Sequence, residues 1–145
     1  PNLASTYQKS MTTIVGDEQL KSQAVSIFDN IGKTLYLSSE NELDIATAIA
    51  GSGPAFLALV AEGLADGGVR CGLKREDSQT LVAGLFDGFA KLIQHEQPSC
   101  IKDNVMSPAG TTAQGVATLE KANIRSAMIE AINDAFKKAK QLRDN

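Results

Sequence analysis

With 145 residues, 43% of them hydrophobic, the chain is globular in composition and long enough for one good core, or for a small part joined to a larger one. A net charge of −3, a pI near 5.1 and scattered basic residues exclude the footprint of a nucleic-acid binder, so no nucleic-acid partner is expected. No signal peptide is recognisable, and no apolar run reaches the roughly 18 uncharged residues of a membrane span, since the stretch from Ile45 to Val60 is closed off by Glu62. No membrane partner is expected either. Cys71 and Cys100, in a chain without secretory features, read as reduced thiols and point to the cytoplasm. One histidine, His95, and no CxxC or HExxH spacing leave no expected metal site.

The chain opens on Pro1-Asn2 without Met, and is read as a piece of a longer protein. From Met11 to Gly16 a short β-branched run predicts a buried strand. Asp17 opens a helical pattern with Leu20, Ala24, Ile27, Phe28 and Ile31 on one face, and Gly32 stands where that helix would end. Thr34 to Leu37 reads as a second strand, so the segment is a βαβ unit with parallel strands. Two strands cannot close a core, and the unit is expected to need more sheet than the chain contains.

After Ser38-Ser39, which can cap, everything that follows reads as helix. A short helix from Glu42 to Ala50 is expected to break at Gly51-Ser52-Gly53, with Pro54 at the favoured first position of the next, which runs to about Val69. Gly63, Gly67 and Gly68 inside that helix imply close helix-to-helix approach, because each glycine costs about 1 kcal/mol relative to Ala. A third helix starts around Leu73 to Asp77, carries Leu81, Val82, Leu85, Phe86, Phe89, Leu92 and Ile93 on a wide apolar face, and ends before Pro98. The last helix, about Arg125 to Leu142, lines up Met128, Ala131, Ala135, Ala139 and Leu142 in a narrow seam, and its basic end, Lys137, Lys138, Lys140 and Arg143, complements the helix dipole. Apolar residues on more than one face, above all from Ile45 to Leu64, predict a partner surface.

The chemistry gathers at Asn104 to Val116, where Ser107, Pro108, Ala109, Gly110, Thr111 and Thr112 stand directly before a helical run, Val116 to Glu120. A helix start presents unpaired backbone N–H groups and the positive end of the dipole, which suit a carboxylate or phosphate. Ser and Thr here are either ligand contacts or ordinary caps. Gly51-Ser52-Gly53 follows no strand, and is weak as a nucleotide signal.

Lys102 to Thr112 resembles the signature of pyrroline-5-carboxylate reductase, whose usual pattern is Ser-Pro-Gly-Gly-Thr-Thr; here Ala109 replaces the first Gly, a change that matters if the residue needs positive φ. Ala50 to Phe56 and Glu62 to Leu73 are similar to the same family, and the resemblance covers the chain from about Leu43 to its end. It implies a mainly α fold: residues 1-40 as the last part of a Rossmann-like dinucleotide-binding domain, a βαβ remnant, and 41-145 as a helical bundle that dimerises and binds substrate. Pro1-Asn2 resembles the remnant of the family's Met-Pro-Asn-Thr-Pro segment, with Leu3-Ala4 for Thr-Pro, which makes Asn2 a candidate cofactor contact. The implied reaction is hydride transfer from NADPH or NADH to the C=N carbon of a cyclic imine carboxylate, giving proline. The implied roles are Ser107, Gly110, Thr111 and Thr112 for the substrate carboxylate and the Thr112 hydroxyl for the ring nitrogen, in a homodimer or higher homo-oligomer.

Glu96 could bear on the iminium charge or be a solvated carboxylate, His95 is given no role, and Gly51 to Pro54 either borders the nicotinamide or simply starts a helix. The chain alone is expected to be inactive. Two other readings stand beside the reductase: a non-catalytic paralogue serving as a dimerisation or regulatory module, and another imine or hydroxyacid dehydrogenase of similar build.

Overall fold

The structure, a computed structural model, describes residues 1–144; Asn145, the last residue of the expected helical domain, lies outside the described residues. The chain forms two compact units, one from Pro1–Leu57 with the described residues from Ala127 onward, the other from Ala58–Ser126.

In the first unit, strands β1 (Ser10–Ile14) and β2 (Gly32–Tyr36) pair in parallel, Ser10 opposite Gly32 and Ile14 opposite Tyr36, and helix α1 (Lys21–Phe28) connects them. The expected βαβ unit is present. Its helix is shorter than the apolar pattern suggested, because 3₁₀ turns at Glu18–Leu20 and Asp29–Ile31 take up both ends. Asp17 caps the first of them by accepting from the Gln19 N–H at 2.8 Å. Gly32, expected as a helix stop, is the first residue of β2, with φ 152°. A Cβ there would lie 2.0 Å from the Ser10 carbonyl oxygen, so the two strands meet at a point where no other residue fits.

What the sheet buries is polar. Ser10 and Thr12 are enclosed, and their hydroxyls lie 3.3 Å apart. The apolar residues expected to face inward do so only in part: Leu20 and Ile27 are exposed, while Ala24, Phe28 and Ile31 are half-buried. One helix over two strands supplies too little opposing surface to cover them.

Ser39 caps helix α2 (Glu40–Ala46), accepting from the Glu42 N–H, while the Glu42 carboxylate accepts from the Ser38 N–H at 2.7 Å. Gly51-Ser52-Gly53 does not break the path as expected. The chain passes through a π turn, Thr47–Gly51, and enters helix α3 (Gly53–Arg70), whose second residue is Pro54. Pro54 has no N–H for the carbonyl four residues back, that of Ala50, and its ring would crowd that carbonyl in a regular helix. A widened turn absorbs both defects. The Ala50 carbonyl instead accepts from the Asn2 side-chain amide at 2.9 Å.

Because the helix runs on, Glu40–Arg70 forms a 31-residue stretch, long and apolar enough by length and composition to cross a membrane, which corrects the shorter run expected from Ile45 to Val60. Asp44 on its first turns is buried and pairs with Arg143, near the end of helix α7 (Ile124–Arg143), at 2.5 Å. The basic end of α7 therefore does more than complement a dipole. Arg143 anchors that end to α2, whereas Lys137 pairs locally with Asp134.

In the second unit, helix α4 (Arg75–Leu92) folds back on α3, with the Ser78 hydroxyl donating to the Ala65 carbonyl at 2.8 Å in a buried contact. A Cβ on Gly68 would come within 2.2 Å of the Ser78 oxygen, so this glycine marks the predicted close approach. Gly63 and Gly67 do not, for among the described residues nothing beyond their own stretch of helix lies within 4 Å of a Cβ on either. Helix α5 (Pro98–Val105), with Pro98 in its first turn, and helix α6 (Thr111–Lys121) complete the unit, and Ile101 is buried. On α4, Val82 and Phe86 are half-buried, but Leu81, Leu85, Phe89, Leu92 and Ile93 are exposed. Among the described residues, the buried apolar side chains are Ala48, Ala65 and Ile101, a core far too small for a chain with this apolar content.

Candidate active site

The loop between α5 and α6 is a tight turn. The Gly110 N–H donates to the Ser107 carbonyl at 3.0 Å, Pro108 occupies the second position and Ala109 the third, with φ 59°. That is the pattern of a type II turn, which asks for glycine at its third position. Ala109 therefore carries the strain that the resemblance flagged as conditional on positive φ. Gly110 is favoured for another reason, since a Cβ there would sit 2.3 Å from the Ser107 Oγ and 3.1 Å from its carbonyl oxygen and would turn that hydroxyl away. Both glycine-type positions follow from folding the loop back on the helix start.

Gly110 is the N-cap of α6, and, having no side chain, it leaves the first amides without a side-chain cap. Thr111 and Thr112 are the first two helical residues, so neither is the cap. Mid-helix threonines elsewhere bond the carbonyl four residues back: Thr47 to Leu43 at 2.8 Å, Thr80 to Glu76 at 2.9 Å and Thr118 to Gln114 at 3.1 Å. Thr112 has Pro108 at that spacing, outside the helix, and its hydroxyl makes no hydrogen bond within the described residues. Ser107 and Thr111 are exposed, and Thr112 and Gly110 half-buried. The loop thus places open amides, the helix's positive end and unengaged hydroxyls together, an arrangement that can hold a carboxylate.

Around it, Glu96 accepts from the Asn104 side chain at 3.3 Å, which ties the end of the α4 segment to α5 just before the loop. Asn104 belongs to the signature stretch but suggested no role by itself; the contact joins residues eight apart, beyond the reach of local pattern. His95 is exposed. At the far end of α6, Glu120 pairs with Arg125 at 2.5 Å; that hydrogen bond and the Arg125 charge, with Lys102 adding a little, hold the Glu120 carboxyl below its usual range. The same pairing raises the Arg125 guanidinium. The carboxylate stays ionised, and therefore bonded to Arg125, through the neutral pH range.

Asn2 belongs to the first unit. Its backbone N–H donates to the Ser10 hydroxyl at 3.0 Å, its Oδ1 accepts from the Ala4 N–H at 3.1 Å, and its Nδ2 donates to the Ala50 carbonyl. Both ends of the carboxamide are engaged, its oxygen capping the 3₁₀ turn Leu3–Tyr7 and its amide nitrogen holding the π turn, while the backbone N–H holds the strand entry. A signal for this existed in the sequence, since Pro54 leaves the Ala50 carbonyl free, but nothing local says which donor comes to it. Gly51, Ser52 and Gly53 lie on the helical path, and none of them has the positive φ of a glycine-rich phosphate turn. Among the described residues, no three His, Cys, Asp or Glu side chains are grouped to hold a metal, and Cys71 and Cys100 are exposed free thiols.

A parallel βαβ unit that leads into helices with uncovered apolar faces and an anion-ready helix start defines the class: a helical association domain joined to a short α/β unit. The family model for pyrroline-5-carboxylate reductase dimerisation matches residues 40–142, and the chain belongs to that family. It is 42% identical to the pyrroline-5-carboxylate reductase of Synechocystis, with 98% of this chain and 55% of the relative aligned, and 37% identical to that of Helicobacter pylori, with 95% and 55% aligned. Among solved structures, a pyrroline-5-carboxylate reductase from Coxiella burnetii superposes with a TM-score of 0.91 at 30% identity, covering 98% of this chain and 55% of the other. The Plasmodium falciparum pyrroline carboxylate reductase with NADP bound gives 0.86 at 32% identity, covering 97% and 60%. The chain spans about half the length of the curated relatives it matches.

Proposed function

We propose that this chain is the substrate-binding and dimerisation part of an enzyme that reduces 1-pyrroline-5-carboxylate to L-proline in the cytoplasm. The observation that carries the reading is the start of α6, where uncapped amides and the unengaged Thr112 hydroxyl face the need of a small cyclic imine with one carboxylate. The amides of Thr111 and Thr112 with the Ser107 hydroxyl bind the carboxylate, while the Gly110 N–H closes the turn on the Ser107 carbonyl. Thr112 then stands one helical step away to hydrogen-bond the ring nitrogen. An alcohol is too weak an acid to protonate the imine, so the hydroxyl orients it and supports its charge. NADPH or NADH supplies the hydride when bound; the resident glycines 51 and 53 do not shape a phosphate site for it, and Asn2 supports the π turn. A helical domain from residue 41 onward is supported by the family match, which begins at residue 40.

The test is to express the full-length protein and follow nicotinamide oxidation. Oxidation that depends on added pyrroline-5-carboxylate is the expected result. A folded protein that leaves the nicotinamide untouched would favour the non-catalytic paralogue, and turnover of a different imine or keto acid instead would favour a related dehydrogenase.

The proposed partner is a second copy of the chain. Leu57, Leu59 and Leu64 on α3, Leu81, Leu85 and Phe89 on α4, and Ile129 on α7 are exposed, and the family model matched is a dimerisation model. Helices of this kind are stable in water only when another surface covers them. This also accounts for the apolar length of Glu40–Arg70 without a membrane. Sedimentation of the chain at micromolar concentration should give a dimer or larger, whereas a monodisperse monomer would remove the partner surface from the argument.

A further inference from the structure

We propose that Ala109 makes the loop before α6 a two-state element, partly open in the free protein and drawn shut by the carboxylate of the substrate. The inference rests on the reading of that helix start as the carboxylate site, and goes beyond it by giving this chain its own control over how often the site is formed. A residue with a side chain at φ 59° persists in that conformation only where its surroundings over-determine it. Here they do not. Ser107, Pro108 and Ala109 are all exposed, and the turn is closed by one backbone bond, from Gly110 to Ser107. The closed loop is nevertheless specific, because the Ser107 hydroxyl folds over the face of Gly110 where a Cβ would be.

Free of ligand, Ala109 relaxes toward negative φ, the Gly110 to Ser107 bond opens, and Ser107 leaves the helix start. A carboxylate bonded to the first amides of α6 and to the Ser107 hydroxyl bridges the two ends of the turn and holds it closed. Apparent affinity then falls by the fraction of protein with the turn formed. Ala109 is a positioning residue in this scheme, acting on KM through Ser107 and leaving the reacting atoms alone.

The experiment compares the full-length protein with Ala109→Gly and Ala109→Val. Glycine removes the penalty at positive φ, so its KM for pyrroline-5-carboxylate should fall about three- to five-fold with kcat within two-fold, and the β-branched valine should raise KM. Backbone amide relaxation of residues 107–112 without substrate provides a reading independent of turnover. Exchange on the microsecond-to-millisecond scale is expected in the natural protein and should be quenched in Ala109→Gly. An unexchanging loop in the natural protein overturns the proposal whatever the activity, as does an unchanged KM in Ala109→Gly. If neither protein oxidises the nicotinamide with this imine, the substrate reading fails, and the relaxation data still decide whether the loop has two states.

Discussion

Replacing Thr112 by Ala in the full-length protein should lower kcat/KM by roughly 10- to 150-fold, the loss of the hydrogen bond of about 1.5–3 kcal/mol proposed to form as the hydride arrives. Thr112→Ser, which keeps the hydroxyl, should recover most of it. Stability distinguishes this from a structural role. Gly110 is the cap of α6 and the Thr112 hydroxyl bonds nothing among the described residues, so its removal exposes no helix end. Alanine's better helix propensity should leave the melting temperature the same or slightly higher, by up to about 0.7 kcal/mol. A Thr112→Ala enzyme that melts early and turns over normally would show that the hydroxyl serves the helix, and would pass its proposed role to Ser107.

The largest effect on stability is expected at Gly32. A Cβ there meets the Ser10 carbonyl oxygen at 2.0 Å, its nitrogen at 2.4 Å and its carbonyl carbon at 2.7 Å, all backbone atoms of the paired strand. Backbone cannot rotate aside as a side chain can, and Ser10 is itself buried against Thr12 and bonded to Asn2. Overpacking alone costs about 1–3 kcal/mol, and φ 152° adds strain for any residue with a Cβ. Gly32→Ala should therefore destabilise the β1–β2 pair by about 4 kcal/mol or more, read as a shifted urea midpoint and lost strand signal. A variant that unfolds at the same urea concentration as the natural chain would mean that the strands do not approach as described.

The elements were legible where the cause is local. β-branched runs bounded by turn residues gave two short strands in the observed order, and Ser39 and the apolar spacing of α3, α4 and α7 mark helices that are present, whereas Pro98, read only as the end of the preceding helix, opens α5. The π turn was not legible, because Gly51, Ser52, Gly53 and Pro54 look like a break to any rule that counts propensity. Whether a proline ends a helix depends on whether another group takes up the carbonyl it abandons. Here the donor is Asn2, 48 residues away in sequence.

The same division runs through the site. Sequence alone singled out the stretch from Ser107 to Thr112 and its family resemblance, because a helix start announces itself in consecutive residues and the motif is specific. It also determined that the apolar faces exceed what one chain can bury, since that depends on composition and period. Tertiary structure decided which residue bears each constraint. It made Gly110 the cap and freed the Thr112 hydroxyl, put Ala109 at positive φ, gave Gly68 alone of three glycines the close approach to Ser78, and spent the Asn2 amide nitrogen on the π turn. Each of these turns on a backbone angle or on a partner distant in sequence, and neither quantity is carried by the spacing of neighbouring residues.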